Sequence, residues 1–138
     1  MRIMAIDYGD ARTGIAVSDL SRTLAGEAFT IQSWDPIAAA DTIAQEAKQR
    51  DVGVLVLGYP RNMDGTDNPR TEKCRDFAAL LREKSGLPVE FWDERRTTVD
   101  AHRILSEQNR HGKKRKAVVD AVAATLILEG YLNQPHIQ

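Results

Sequence analysis

The 138-residue sequence predicts an α/β fold, a five-stranded mixed sheet whose first three strands are antiparallel, flanked by helices on both faces. Three observations predict it. Short unbroken apolar runs, Ile3-Met4-Ala5-Ile6 and the segment VGVLVL at 52–57, suit strands covered on both sides. Three strand patterns come first and together read as an antiparallel meander. Helical and strand patterns then alternate to the end of the chain, giving the order β-β-β-α-β-α-β-α with the last helix split or extended.

Each element has a local reason. Arg2 to Asp7 forms the first strand, and Tyr8 to Arg12 the loop after it. Ile15 and Val17 alternate with smaller residues over Thr13 to Asp19, and a weaker third strand falls within Ala28 to Gln32, completing a meander. Asp35 caps a helix with Pro36 in its first turn, and Ile37, Ala40, Ala44 and Ala47 supply its buried stripe. Val52 to Leu57 is the fourth strand, followed by a long loop from Gly58 to Pro69. A helix spans Arg70 to Lys84, with Cys74, Phe77, Ala78 and Leu81 on its inner face, and Pro88 to Trp92 is the fifth strand. Thr97 caps a helix carrying Ala101, Ile104 and Leu105, with Asp100 placed for a capping-box contact. A basic linker leads to a final helix from Arg115 to Leu132. Without repeats or low-complexity tracts, residues 1–138 read as one domain.

Composition narrows the function classes. Apolar residues make up 42% and charged residues 28%, which suits a globular chain rather than a disordered one. No apolar run approaches the roughly 18 residues of a membrane span, and the N-terminus lacks a signal-peptide pattern, so a cytoplasmic location is expected. The single cysteine, Cys74, excludes an intrachain disulfide and is read as core. The net charge of −1 favours no partner, but basic residues cluster at Arg95-Arg96 and from Arg110 to Lys116. Trp34 and Trp92 are read as core residues, and the three histidines lack the spacing of metal ligands.

Acidic residues carry the candidate chemistry. Asp7 ends a buried strand beside Gly9, where a phosphate or cation can approach the backbone. Asp120 sits in a helix apolar nearly all round, between Ala117 and the pair Ala123-Ala124. An ionised carboxylate in such a setting costs several kcal/mol unless it is paired or binds metal. Asp93 and Glu94 follow the fifth strand and reach the same sheet edge as Asp7 if the strands are parallel. Alternation does not choose between them, and the longer reach of Glu94 favours it. Oxygen donors without His or Cys suit Mg²⁺ or Mn²⁺. Arg12, Arg61, Arg95, Arg96, Lys113, Lys114 and Arg115 are the expected phosphate contacts, with nucleic acid as the partner.

Four strings, DYGDARTGIAVSD (7–19), GYPRNMDGTDNPR (58–70), WDERRTT (92–98) and VVDAVAATLIL (118–128), resemble the YqgF/RuvX family in order over nearly the whole chain. The resemblance implies an RNase H-like fold and a bacterial cytoplasmic nuclease of the 5′-end maturation of pre-16S rRNA. Holliday junction resolution is the alternative. It carries the family's acidic positions onto Asp7, Glu94 and Asp120, as catalytic residues and metal ligands. This chain has Tyr59, Arg61 and Arg96 where the family usually has leucine, which bears on substrate contacts. It also has Gly58 where many related nucleases carry an acid. Resolving a symmetrical junction would need two sites, so either a monomer or a homodimer is expected. Two rival classes make different demands on the chain. An actin-like or sugar-kinase-like ATPase needs a second domain for which 138 residues leave no room. A non-catalytic RNA-binding module on the same fold would have little reason to keep three acids.

Overall fold

The computed structural model describes residues 1–21, 25–60, 64–93 and 112–134, with side chains in the last segment from 121 onward. Its strands are β1 (Arg2–Asp7), β2 (Arg12–Ser18), β3 (Ala25–Gln32), β4 (Val52–Tyr59) and β5 (Val89–Asp93). The helices are α1 (Pro36–Gln49), α2 (Pro69–Ser85) and α3 (Gly112–Asn133). The sheet order is β3-β2-β1-β4-β5. β1 pairs antiparallel with β2 and β2 with β3, whereas β1–β4 and β4–β5 are parallel. The carboxyl ends of β1, β3, β4 and β5 and the start of β2 therefore share one edge. This is the predicted mixed sheet. The helix expected after Thr97, with Asp100, lies outside the described residues.

Alternation along each strand divides the core in two. Met4, Ile6, Ile15, Val17, Leu55 and Leu57 pack with Ala40, Ile43, Phe77 and Leu81 of α1 and α2. Ile3, Ala5, Ala16, Val56 and Trp92 pack with Ala124, Ile127 and Leu128 of α3. The helices thus cover both faces. Cys74 is buried, as its spacing predicts.

Helix ends follow their cap chemistry. The Asp35 carboxylate accepts from the N–H groups of Ile37 and Ala38. Asn68 and Thr71 form a reciprocal capping box ahead of α2. Gly86 closes α2 at φ 70°, a left-handed conformation in which its N–H reaches the Arg82 carbonyl.

Several expectations need correction. β4 continues through Tyr59, because Gly58 and Tyr59 pair with Trp92 and Asp93, so the loop begins later than Gly58. β3 starts at Ala25 and pairs along the length of β2, a span that an edge strand's weak apolar pattern hides. The inner stripe of α1 is Ala39, Ala40, Ile43 and Ala47. Ile37 is exposed, as is fitting for a residue in the capped first turn, and Ala44 is half-buried. Trp34 is 73% exposed instead of core, while Trp92 is buried as expected. Trp34 lies just past β3 and before the Asp35 cap, and neither core reaches it. The supposed basic linker is helical from Gly112 on, so Lys113, Lys114, Arg115 and Lys116 occupy the first turns of α3. That helix is also less enclosed than its composition suggests. Ala124, Ile127 and Leu128 are buried, but Val122 and Leu126 are half-buried.

Candidate active site

Asp7 is the last residue of β1, and alternation places it on the α3 face with Ile3 and Ala5. Its neighbours on both adjacent strands are glycines. Gly14 of β2 is its direct partner, and one step beyond the Ile6–Leu57 pair brings Gly58 of β4 level with it. Side chains are thus missing on either side of this carboxylate, and a cation or phosphate can approach it across the sheet. Arg12 starts β2, and the alternation that gives Ala16 to the α3 core puts Arg12 on the same face.

The loop after Asp7 is held by many small ties. Ser33 Oγ donates to the Gly9 carbonyl at 2.5 Å, and the Ser33 N–H donates to the Ala11 carbonyl at 2.9 Å. The Gly9 N–H donates to Oγ1 of the fully buried Thr13 at 3.4 Å, and Arg70 Nη2 donates to the Tyr8 carbonyl at 2.8 Å. Tyr8 stacks on Phe77 with centroids 3.9 Å apart and planes 8° from parallel. Burial raises the Tyr8 pKa, with Asp10 and Cys74 adding to the effect and Arg70 opposing it, so the phenol stays neutral. Gly9 has no alternative, since a Cβ there would lie 2.3 Å from the Arg12 carbonyl oxygen. Thr13, Ser33 and Arg70 were not singled out from sequence; their roles depend on contacts between distant segments.

The fifth strand fixes the side of the sheet on which Asp93, the first of the two acids, lies. Val89 packs into the α1/α2 core, and Phe91 lies beneath Arg82 of α2, so Asp93 follows on that side. Glu90, which accepts from the Tyr131 hydroxyl, and Trp92 lie on the α3 side. Asp93 is therefore on the opposite face from Asp7. Glu94 lies outside the described residues, as do Arg61, Arg95 and Arg96. For Asp120 the structure gives only a backbone position within α3, four residues before Ala124. Lys113, Lys114 and Arg115 are likewise placed only along α3. Among the described residues no three His, Cys, Asp or Glu gather as a metal site, and no helix is long and apolar enough to cross a membrane.

A mixed sheet with this strand order and helices on both faces is an RNase H-like fold. The Thermus thermophilus RuvC protein in complex with a Holliday junction substrate superposes with a TM-score of 0.54 at 11% identity, covering 92% of this chain and 91% of that one. The fowlpox virus resolvase with Holliday junction DNA gives a TM-score of 0.56 at 12% identity, covering 97% and 100%. At such identity the likeness speaks for the fold. The sequence is more specific: residues 1–134 match the family model RuvX, Holliday junction resolvase, and the chain belongs to that family. A relative from Halothermothrix orenii, named "Putative pre-16S rRNA nuclease", is 46% identical over 134 residues, covering 96% of this chain and 95% of that protein.

Proposed function

We propose that the protein is a nuclease that hydrolyses phosphodiester bonds at the sheet edge marked by Asp7, acting in 5′-end processing of pre-16S rRNA. The observation that carries this reading is Asp7 itself, a carboxylate between Gly14 and Gly58 on the face covered by α3, the helix that contains Asp120. Family membership and the name of the Halothermothrix relative support the substrate. Holliday junction DNA is the second candidate, supported by the description of the family model.

Asp7, Glu94 and Asp120 are the assigned metal ligands and catalytic residues. Glu94 is preferred because Asp93 faces α2. The donors are all oxygens, and the glycine-flanked position of Asp7 leaves space for a hydrated ion, which fits Mg²⁺ or Mn²⁺. When bound, such an ion lowers the pKa of water and offsets charge on the phosphate. Asp7 is anchored for this role by β1, and the tied loop after it keeps the carboxylate from moving as substrate arrives. Arg12, on the same face, is suited to hold a substrate phosphate, and Arg61, Arg95, Arg96, Lys113, Lys114 and Arg115 extend the grip along the strand. A water opposite the leaving oxygen is the nucleophile.

The test is side-by-side cleavage of precursor 16S rRNA and a four-way DNA junction by the parent and by Asp7→Asn. Cleavage of the precursor alone, lost in Asp7→Asn, is expected. Cleavage of the junction alone would reassign the substrate. Activity undiminished in Asp7→Asn would reject the site.

A further inference from the structure

A cleft of about 540 Å³ opens on the other face of the sheet, between the outer edge of β5 and α2. Tyr59, Arg75, Arg82, Phe91 and Asp93 line it among the described residues. None of them is assigned to the site around Asp7. The cleft is within the volume range of small-molecule sites, and its lining combines aromatic rings, two arginines and a carboxylate. Phe91 keeps 39% of its surface exposed although it stands on a strand. Tyr59 meets it edge-on, with ring centroids 4.7 Å apart at 84°. Two guanidinium groups flank the rings, Arg75 at 5.5 Å from the Tyr59 centroid and Arg82 at 5.8 Å from that of Phe91.

These arginines are seven residues apart, two turns along one side of α2, or roughly 10 Å. Each is also held by a polar contact within the protein. Arg75 pairs with the Asp67 carboxylate, and Arg82 Nη2 donates to the Val89 carbonyl at 3.1 Å. A guanidinium has five N–H donors, so further donors remain for an anion with several oxygens. Exposed aromatic surface beside two cations suits a flat ring joined to a phosphate. The Asp93 carboxylate, a pure acceptor when ionised, suits a group bearing hydroxyls, as acidic residues do beside the ribose of dinucleotides.

We propose that this cleft binds a ribonucleotide unit, with its base against Phe91, its phosphate held by Arg75 and Arg82, and its ribose hydroxyls at Asp93. The ligand is either a free nucleotide or the unpaired end of an RNA strand, which share this chemistry. The inference goes beyond the nuclease reading and does not require it, since Asp7 lies on the opposite face.

The test is a backbone-amide NMR titration of the metal-free protein with 5′-AMP, 5′-dAMP and a short single-stranded RNA. Shifts centred on residues 89–93, Tyr59, Arg75 and Arg82, with AMP preferred over dAMP, are expected. Phe91→Leu, which keeps an apolar side chain without the ring, should weaken AMP about tenfold, and Arg82→Gln similarly, with Arg82→Lys between. Tighter binding of AMP than of the RNA points to a free nucleotide, and the reverse to a strand end. Shifts absent from the cleft in the parent protein would overturn the inference without relying on any variant. Equal binding of AMP and dAMP would overturn the role of Asp93. Binding at the cleft by a protein that cleaves neither nucleic acid would uphold it while rejecting the nuclease reading. Cleavage without cleft binding would do the opposite.

Discussion

Replacing Gly9 by alanine should damage the Asp7 site through geometry alone. The new methyl carbon would start 2.3 Å from the Arg12 carbonyl oxygen, whereas ordinary contact begins near 3.4 Å, so the loop must open by about 1 Å. The obstacle is backbone, which no side-chain rotation relieves, and Gly9 is tied to Ser33 and Thr13 on opposite sides. Overpacking of this kind costs about 1–3 kcal/mol, or roughly 3–10 °C of Tm for a chain of this size. Because the loop joins Asp7 to Arg12, a displacement of that size should also lower the cleavage rate about 100-fold. Gly86→Ala is the control. It meets nothing within 4 Å but sits at φ 70°, so it should cost about 1 kcal/mol of stability and leave cleavage unchanged. Thermal melts followed by circular dichroism and single-turnover cleavage measure both. A Gly9→Ala protein that melts and cleaves like the parent would refute the claim that this loop fixes the carboxylate.

Two further outcomes follow from the periphery. Glu27 of β3 receives hydrogen bonds from Arg50 at 2.9 and 3.0 Å, and chiefly through them its pKa falls below the usual carboxylate range. A lowered folded pKa stabilises above the unfolded value of about 4.3 and is lost as pH falls through the folded one. Glu27→Gln should therefore remove about 0.2–1 kcal/mol at neutral pH, small because half the Glu27 side chain is in water. The deficit should vanish in acid, as denaturant titrations at several pH values will show. The two tryptophans should separate in fluorescence, since Trp34 is 73% and Trp92 7% exposed. Trp34→Phe should remove the red-shifted, acrylamide-quenchable emission with little loss of stability; quenching that persists in that variant would contradict the burial of Trp92.

Much of the fold was legible because its signals are local. The continuous apolar runs gave β1 and β4, and Asp35-Pro36 gave the start of α1. Cys74, Phe77, Ala78 and Leu81 gave the inner face of α2. Where tertiary pairing decides, the sequence misled. β4 runs on through Gly58 because β5 lies beside it, a partner more than thirty residues away. Trp34 looks like core by composition, but its place between β3 and the cap of α1 leaves the indole in water. In the site, Asp7 was legible as an acid closing a buried strand. Its glycine neighbours on two strands were not, because Gly14 and Gly58 reach it only through the register of the sheet. The face taken by Asp93 was not legible either, because it follows from Phe91 and Trp92 packing on opposite sides of β5. The arginine-and-aromatic cleft was hidden for the same reason, since its members come from three elements.

The central claim is that Asp7 and its partner acids hold a divalent ion in the folded protein. Thermal melts of the parent, Asp7→Asn and Asp120→Asn in rising Mg²⁺ and Mn²⁺ test it most directly. At 100 times the dissociation constant, one site gains about 2.7 kcal/mol, roughly 8 °C here. The parent should rise by that amount while both variants stay nearly flat. A parent that gains nothing, or an Asp7→Asn protein that gains as much as the parent, would contradict the account.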